Sequence, residues 1–558
     1  MKKRGKNEMS PIVPLFLRNP HCVQENRLPT RAYTYDPNIF HSLNGQWFFK
    51  LFHSPTESPD LTKFNFSAAK IWDTIKVPSH WQLCGNGKYG LPGYQNLQYP
   101  YQLDIPNPPT VNPTGVYFHN FYCEEKDPTI NYRIRFEGVD NCFQLYINQH
   151  YVGLSKGSRN SSEFVVDDYL IKGENIISVK VYKWSDSSYL EDQDEWRMSG
   201  IFRDVSLLTL PKTHIENFQV IPSFDSEYSD ATLSLNLQIE GKYDAVKFTL
   251  YDYEDPHRPV DASELLQETD KAKTDPIKQI MIPAEKLKET VKIAIRNPKH
   301  WTAEDPYLYK YRLQVIFNGM VLHSVYNHVG FRQVELVKGN IRINGCRIMF
   351  KGVNRHEHHP LYGRSVPLEF ALRDLIIMKK HNINAVRTSH YPNDPKIYNF
   401  FDRLGFYVID EADLETHGVQ TGFNVYNNIE VELPETKQKY YEQNVCYLSS
   451  NPEYTDAYLD RASQLVLRDI NHPAVVFWSL GNESGYGTNH QMMEKLIRKL
   501  DPSRLIHYEG DVNAISADTY SFMYPSLDAM EVWRKSHTNK NREFSKPLIL
   551  CEYAHAMG

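Results

Sequence analysis

Over the first 211 residues, apolar and polar positions alternate in short runs. GQWFFKLF (45–52), GVYFHNFYC (115–123), NYRIRFEGV (131–139) and NIISVKVYKW (175–184) are four of eight such runs, with Gly, Asn, Asp or Pro between most of them. Successive side chains of a strand face opposite ways, so this period predicts strands that turn one face to a core. Eight in series predict a jelly-roll β-sandwich over 41–211, preceded by an N-terminal extension over 1–40. Residues 212–332 repeat the pattern in ATLSLNLQIE, AVKFTLYDY, TVKIAIRN and YKYRLQVIF, which predicts a smaller, immunoglobulin-like sandwich acting as a spacer.

From about 333 the pattern changes, and 333–558 alternates strand-like with helical runs, as parallel βα units do. The strand candidates are RIMFKGV, INAVRTS, FYVIDEA, AVVFWSL, LIHYE, TYSFMY and LILCE. Helical periods lie in PLEFALRDLIIMKKH, DPKIYNFFDRL, DAYLDRASQLVLRDI and NHQMMEKLIRKL. Polar clusters follow most strands at once: NRHEHH, HYPN, DLETHG, GNESGYG, YEGD and EYAHAMG. Functional groups gathered after successive parallel strands describe the C-terminal face of a TIM barrel. A closed (β/α)8 barrel has eight strands and seven are legible, so the barrel is expected to lack its last strand and helices.

Composition narrows the partners. A net charge of −6 offers no basic footprint for nucleic acid, and no apolar run is long enough to span a membrane. The start, MKKRGKNEMS followed by PIVPLFL, is too short and Pro-broken for a signal-peptide core and reads as a solvated tail. Seven scattered cysteines without a C-x-x-C pair predict neither a disulfide framework nor a zinc site, and favour a cytoplasmic location.

The chemistry concentrates in two carboxylates. Glu483 follows VVFWSLGN and Glu552 follows LILC, each past the end of an apolar strand. One such Glu is ordinarily a solvated loop residue. Two on the same barrel face, among His and Asn residues, are the equipment of glycoside hydrolysis: a proton donor for the leaving oxygen and a base or nucleophile opposite. Glu415 and His417, at i and i+2, project to one side of an extended chain and suit a cation.

SLGNESG, LILCEYAHAMG, GVNRHEHHP, AVRTSHYPN, DEADLETHG and SYLEDQDEWRMSGIFRDVSLL occur in the order in which glycoside hydrolase family 2 carries them. The chain resembles that family, which includes the large microbial β-galactosidases, from ENRLPTRAY onward, and its insert around 424–458 is similar to that of the yeast members. The resemblance implies a retaining β-galactosidase acting on galactosides such as lactose, a small-molecule substrate, in a homo-oligomer. It makes Glu483 the acid/base and Glu552 the nucleophile, with Asn482 near the sugar 2-hydroxyl and Tyr508 near the nucleophile. It implies that His356 and His390 stabilise the transition state, that Arg387 orients Glu552, and that His555 touches the sugar. Glu415, His417 and Glu483 are implied to hold Mg²⁺. Asn96 and Asp194 are implied to reach galactose from the sandwich, with Asp194 also holding Na⁺. Relative to the family, the chain stops after the seventh barrel strand, which leaves a complementation-dependent or inactive form as the alternative. A β-glucuronidase or β-mannosidase on the same scaffold is the other.

Overall fold

The computed structural model describes residues 13–95, 98–124, 126–252, 275–419, 444–539 and 543–555. The first domain is a two-sheet antiparallel sandwich. One sheet orders the strands Gln24–Glu25, His150–Lys156, Cys142–Ile147, Gly173–Tyr182, Thr114–Cys123, Gly45–Phe52 and Asp73–Val77; the other orders Ser162–Val165, Ile130–Phe136, Val205–Pro211 and Phe40–Ser42. Alternation sends Trp47 and Phe49, Ile134 and Phe136, and Ile177, Val179 and Val181 into one shared core. The opposite face of Ile130–Phe136 is also buried, because Arg133 and Arg135 lie in an ion-pair network with Glu137, Glu163 and Glu216. Residues 13–40 are laid against this body rather than trailing from it: Leu17 is fully buried, and Arg31 pairs with Glu163 at 3.1 Å. Residues 1–12, which include most of the tail expected to be solvated, lie outside the described residues.

The middle domain packs the three strands His214–Phe224, Ala231–Glu240 and Val291–Ile295 against Pro276–Pro283, Ala245–Tyr251, Tyr309–Phe317 and Met320–Val329. Leu233, Leu235, Val246, Phe248, Tyr311 and Leu313 fill the space between its sheets. A small antiparallel unit, Val334–Val337, Asn340–Ile343 and Cys346–Arg347, follows and packs Ile341 and Ile343 against the barrel core.

The barrel strands are β1 (Gly352–Asn354), β2 (Ala385–Arg387), β3 (Tyr407–Glu411), β4 (Val475–Ser479), β5 (Leu505–His507), β6 (Tyr520–Met523) and β7 (Leu548–Glu552). β1 to β5 form one parallel sheet and β6 and β7 pair in parallel separately, so all seven expected strands are present. The helices are α1 (Leu368–Lys380), α2 (Pro395–Leu404), α3 (Thr455–Asp469), α4 (Thr488–Leu500) and α5 (Leu527–His537). α2 shows why its sequence is helical: the Asp394 side chain caps the Lys396 amide, Pro395 opens the first turn, and Gly405 closes it at φ +75°. A Cβ at Gly405 would fall 2.4 Å from the Ala303 carbonyl oxygen, so only glycine fits. α5 carries no buried residue. The Tyr553 hydroxyl donates to the Gly352 carbonyl at 2.8 Å, bringing the end of β7 beside β1.

A buried triad joins the middle domain to the barrel. Asp402 Oδ2 lies 2.9 Å from His328 Nε2 and 2.6 Å from His472 Nδ1, while Oδ1 accepts from the Ala474 amide at 2.9 Å. Burial would raise the Asp402 pKa, but the two histidines override it and hold the carboxyl well below its usual range. Asp402→Ala leaves these donors without an acceptor. It is expected to cost on the order of 3 kcal/mol, read as a lowered thermal midpoint. An unchanged midpoint would remove the triad from the account of how these domains are held.

Candidate active site

The barrel's C-terminal mouth is organised around one guanidinium. Arg387, the last residue of β2, donates through Nε and Nη2 to Glu411 at 2.7 and 3.0 Å, through Nη1 to Glu552 at 3.1 Å, and through Nη2 to Asn482 at 2.8 Å. Burial works against its charge, but Glu411 more than compensates and raises the Arg387 pKa. In return Glu411, itself pushed up by burial, is pulled down to about 2 by Arg387 and by His390, whose Nδ1 lies 2.8 Å from Glu411 Oε1.

Glu552, at the end of β7, has each oxygen engaged. Oε1 faces Arg387 and lies 3.8 Å from His390 Nε2; Oε2 accepts from the Tyr524 hydroxyl at 2.5 Å. His555 lies parallel to the Tyr524 ring with centroids 6.4 Å apart, and the exposed His356 meets His390 edge-on at 5.3 Å. Two directed donors hold this carboxylate aimed into the mouth.

Glu483 stands on the loop after β4. Its Oε2 is 2.7 Å from His417 Nδ1, and Glu415, His417 and Glu483 offer ligand atoms that all lie within 4.8 Å of one another. Burial raises the Glu415 pKa well above the usual range, and the charge of Glu483 adds to it. Burial also pushes Glu483 up, but its hydrogen bond to His417 lowers the net value. Asn482 links the two halves, since its Oδ1 accepts from Arg387 and its Nδ2 donates to Glu415 Oε2 at 2.9 Å.

The sandwich enters the site through backbone. Glu415 N donates to Leu190 O at 2.8 Å and Asp192 N donates to Glu415 O at 3.0 Å. Asp194 follows two residues later, accepts from the Tyr94 hydroxyl at 2.6 Å, and is one of the charges that raise the His417 pKa. Asn96, expected to reach the sugar, lies outside the described residues, as does the insert as far as residue 443.

One expected contact is corrected. Tyr508, placed by resemblance near the nucleophile, is fully buried beneath the other carboxylate: its hydroxyl donates to the Gly485 carbonyl and accepts from the Ser484 amide at 3.2 Å. Tyr524 supplies the hydroxyl at Glu552. Its signal was legible in TYSFMY, where a tyrosine ends a strand as the other site residues do. Glu411 was also passed over, although it sits inside DEADLETHG.

Comparison with known proteins assigns each part of the chain to a family. The model of the glycosyl hydrolases family 2 sugar binding domain matches residues 40–211, that of glycosyl hydrolases family 2 matches 213–332, and that of the family 2 TIM barrel domain matches 334–558. A β-galactosidase of Kluyveromyces lactis is 59% identical over 557 residues, 99% of this chain and 54% of the relative. One of Vibrio vulnificus is 39% identical over 531 residues, 93% of this chain and 48% of the relative. The chain thus spans about half the length of the curated relatives it matches. Among solved structures, a β-glucuronidase of Ruminococcus gnavus superposes with a TM-score of 0.72 at 17% identity, covering 94% of this chain and 85% of the other. The β-D-glucuronidase of Dictyoglomus thermophilum gives 0.67 at 19% identity, covering 94% and 84%. At such identity these two speak for the fold alone.

The Arg387–Glu411 pair makes a pH-dependent prediction. Glu411 is depressed from 4.5 to about 2 on folding, so its contribution is present above ~4.3 and is lost as pH falls through about 2. Arg387→Met should cost on the order of 3 kcal/mol near neutrality. The gap in thermal midpoint between parent and variant should close as pH drops from ~4 toward ~2. A gap independent of pH would contradict this account of Glu411.

Proposed function

Since the chain belongs to glycosyl hydrolase family 2, we propose that it carries the catalytic machinery of a retaining β-galactosidase, removing terminal non-reducing β-D-galactose from substrates such as lactose. One observation carries the reading: two carboxylates at one mouth have opposite surroundings. Glu552 is held by a guanidinium, Arg387, and a phenol, Tyr524, which suits a nucleophile fixed in place. Glu483 lies beside a second carboxylate and a histidine, where its charge answers to its neighbours, which suits an acid/base.

The chemistry follows in two displacements. Glu552 attacks the anomeric carbon while the glycosidic C–O bond breaks, and Glu483 gives its proton to the departing oxygen. Glu483, now ionised, takes a proton from water; that water attacks the anomeric carbon, and the bond to Glu552 breaks. His390, His356 and His555, grouped around the nucleophile, would contact the sugar, with Asp194 and Asn96 reaching it from the sandwich. Asn482 has both ends of its amide committed to protein and keeps one N–H for the 2-hydroxyl. The cation in reach of the nucleophile, Arg387, is spent on Glu411, Glu552 and Asn482, which favours a neutral galactoside over a uronic acid.

Glu415, His417 and Glu483 would hold Mg²⁺. Two oxygen donors and one imidazole, with Glu415 pushed toward protonation by burial and by Glu483, form a site with unbalanced negative charge. Bound there, the ion supplies a fixed positive charge beside the acid. The assignment of Na⁺ to Asp194, like the homo-oligomer, rests on the resemblance. No helix of the described residues is long and apolar enough to cross a membrane; the cytoplasmic location rests on the sequence reading.

Glu483→Gln keeps shape but removes the transferable proton. Its kcat/KM should fall steeply on alkyl galactosides and much less on a dinitrophenyl galactoside, whose leaving group needs no protonation. Equal losses would move the acid elsewhere, and preference for a nitrophenyl glucuronide over the galactoside would replace the substrate reading. Chelation should lower turnover and added Mg²⁺ should restore it; His417→Ala should remove that dependence, and a chelator response unchanged in this variant would refute the metal assignment.

A further inference from the structure

The loop that presents Glu483 is an unusual piece of backbone. Gly481 has φ +132°, Gly485 φ +62°, and between them Glu483 itself sits at φ +36°. A residue with a Cβ in the left-handed region costs roughly 1–2 kcal/mol and persists only where its surroundings hold it. The holding groups can be named. Leu480 N donates to His507 O at 3.0 Å and Asn482 N to Leu414 O at 2.9 Å. Ser484 N donates to the Tyr508 hydroxyl at 3.2 Å, and Glu483 N donates to Glu509 Oε1 at 2.7 Å.

Three of these four acceptors, a carbonyl, a phenol and a carboxyl, are supplied by the consecutive residues His507, Tyr508 and Glu509. Side chains alternate across the end of β5, so Tyr508 and Glu509 reach the loop from different sides. Tyr508 is clamped in turn by His490, whose ring stacks on it with centroids 4.3 Å apart. Among the described residues Glu509 Oε2 is buried without a hydrogen-bond partner, so the visible hydrogen bond of this side chain is the one to the Glu483 amide.

We propose that Glu509 is a positioning residue for the acid/base. By capping the Glu483 amide it fixes the left-handed turn, and that turn points the Glu483 side chain at His417 and the mouth. The inference rests on the assignment of Glu483 as acid/base and adds a residue outside the family motifs quoted above. A small displacement of a reacting group costs on the order of 10²-fold in rate, so loss of the cap should be visible.

The test compares Glu509→Met, which keeps bulk and loses the acceptor, with Glu509→Gln, which keeps an acceptor oxygen. For E509M, kcat/KM on an alkyl galactoside should fall by about 10²-fold and on a dinitrophenyl galactoside by less than about fivefold. E509Q should recover most of the loss. A packing role would lower both substrates alike and would not be relieved by glutamine, and either result would overturn the proposal. A crystal structure of E509M reads the same point without turnover. Glu483 should leave the left-handed region and its 2.7 Å contact with His417 should be lost; an undisturbed Glu483 would overturn the proposal. Should the parent chain cleave no β-galactoside, the functional reading fails, and this structure alone still decides for or against the clamp.

Discussion

The site depends on a single buried positive charge. Without Arg387, β2, β3, β7 and the loop after β4 would bring Glu411, Glu552 and Asn482 toward one spot with no guanidinium between the two carboxylates, leaving His390 beside both. Bringing like charges together out of water is prohibitive, and a planar guanidinium with several donors in one fork is the side chain that can answer several acceptors at once. The arrangement is directional as well as neutralising. Each nitrogen meets a particular oxygen, so the angle of Arg387 fixes where Glu552 points, and through Asn482 and Glu415 it fixes the other half of the mouth. Glu411, Glu552, Asn482 and Glu415 are thereby parts of one hydrogen-bonded object, to which Glu483 is joined through the backbone of Asn482.

Much of this was readable along the chain, for reasons that differ by element. β2, β3 and β4 are buried on both faces and most of the seven strands are followed at once by polar residues, so the apolar runs and their ends are sharp. The four helices that press an apolar stripe on the barrel are equally plain. α5 was missed because nothing in it is buried, and the small unit at 334–347 because its short strands are only half covered. Glu483 and Glu552 were found because each breaks an apolar run with a charge. The tyrosines were exchanged because both end a strand beside a polar loop; choosing between Tyr508 and Tyr524 requires knowing which way each strand's last side chain turns. Glu509 was invisible for the related reason that its role is a bond to backbone, and backbone leaves no letter in the sequence.

Period-two runs also mislead about charge. Arg133 and Arg135 occupy positions that alternation assigns to solvent, yet both are buried among Glu137, Glu163 and Glu216. At Ile130–Phe136 the outer face of the first sandwich is an interior surface of the larger body. Its polar alternation records docking against neighbours through ion pairs rather than exposure to water. Arg159, buried and bonded to Asp413 and Gln193, does the same where the sandwich meets the barrel.

That seam bears on what counts as a domain here. A boundary at 333 describes the change of sequence pattern, but the barrel's hydrophobic core already draws in Tyr99, Tyr189 and Leu190 from the first sandwich and Trp301 and Leu308 from the middle domain. The boundary is false for the mouth as well. The main chain of Glu415 is paired on one edge with residues 190–192, so the segment bearing two candidate metal ligands is stitched into the first sandwich as a strand is stitched into a sheet. An excised barrel would retain every side chain of its catalytic list and lose the seamstress: the Glu415 amide and carbonyl would turn to water, and the ligand loop would no longer have a reason to lie where it does. The unit of inheritance for this chemistry is accordingly the sandwich and barrel together, and a graft of new specificity has to carry both edges of that stitch.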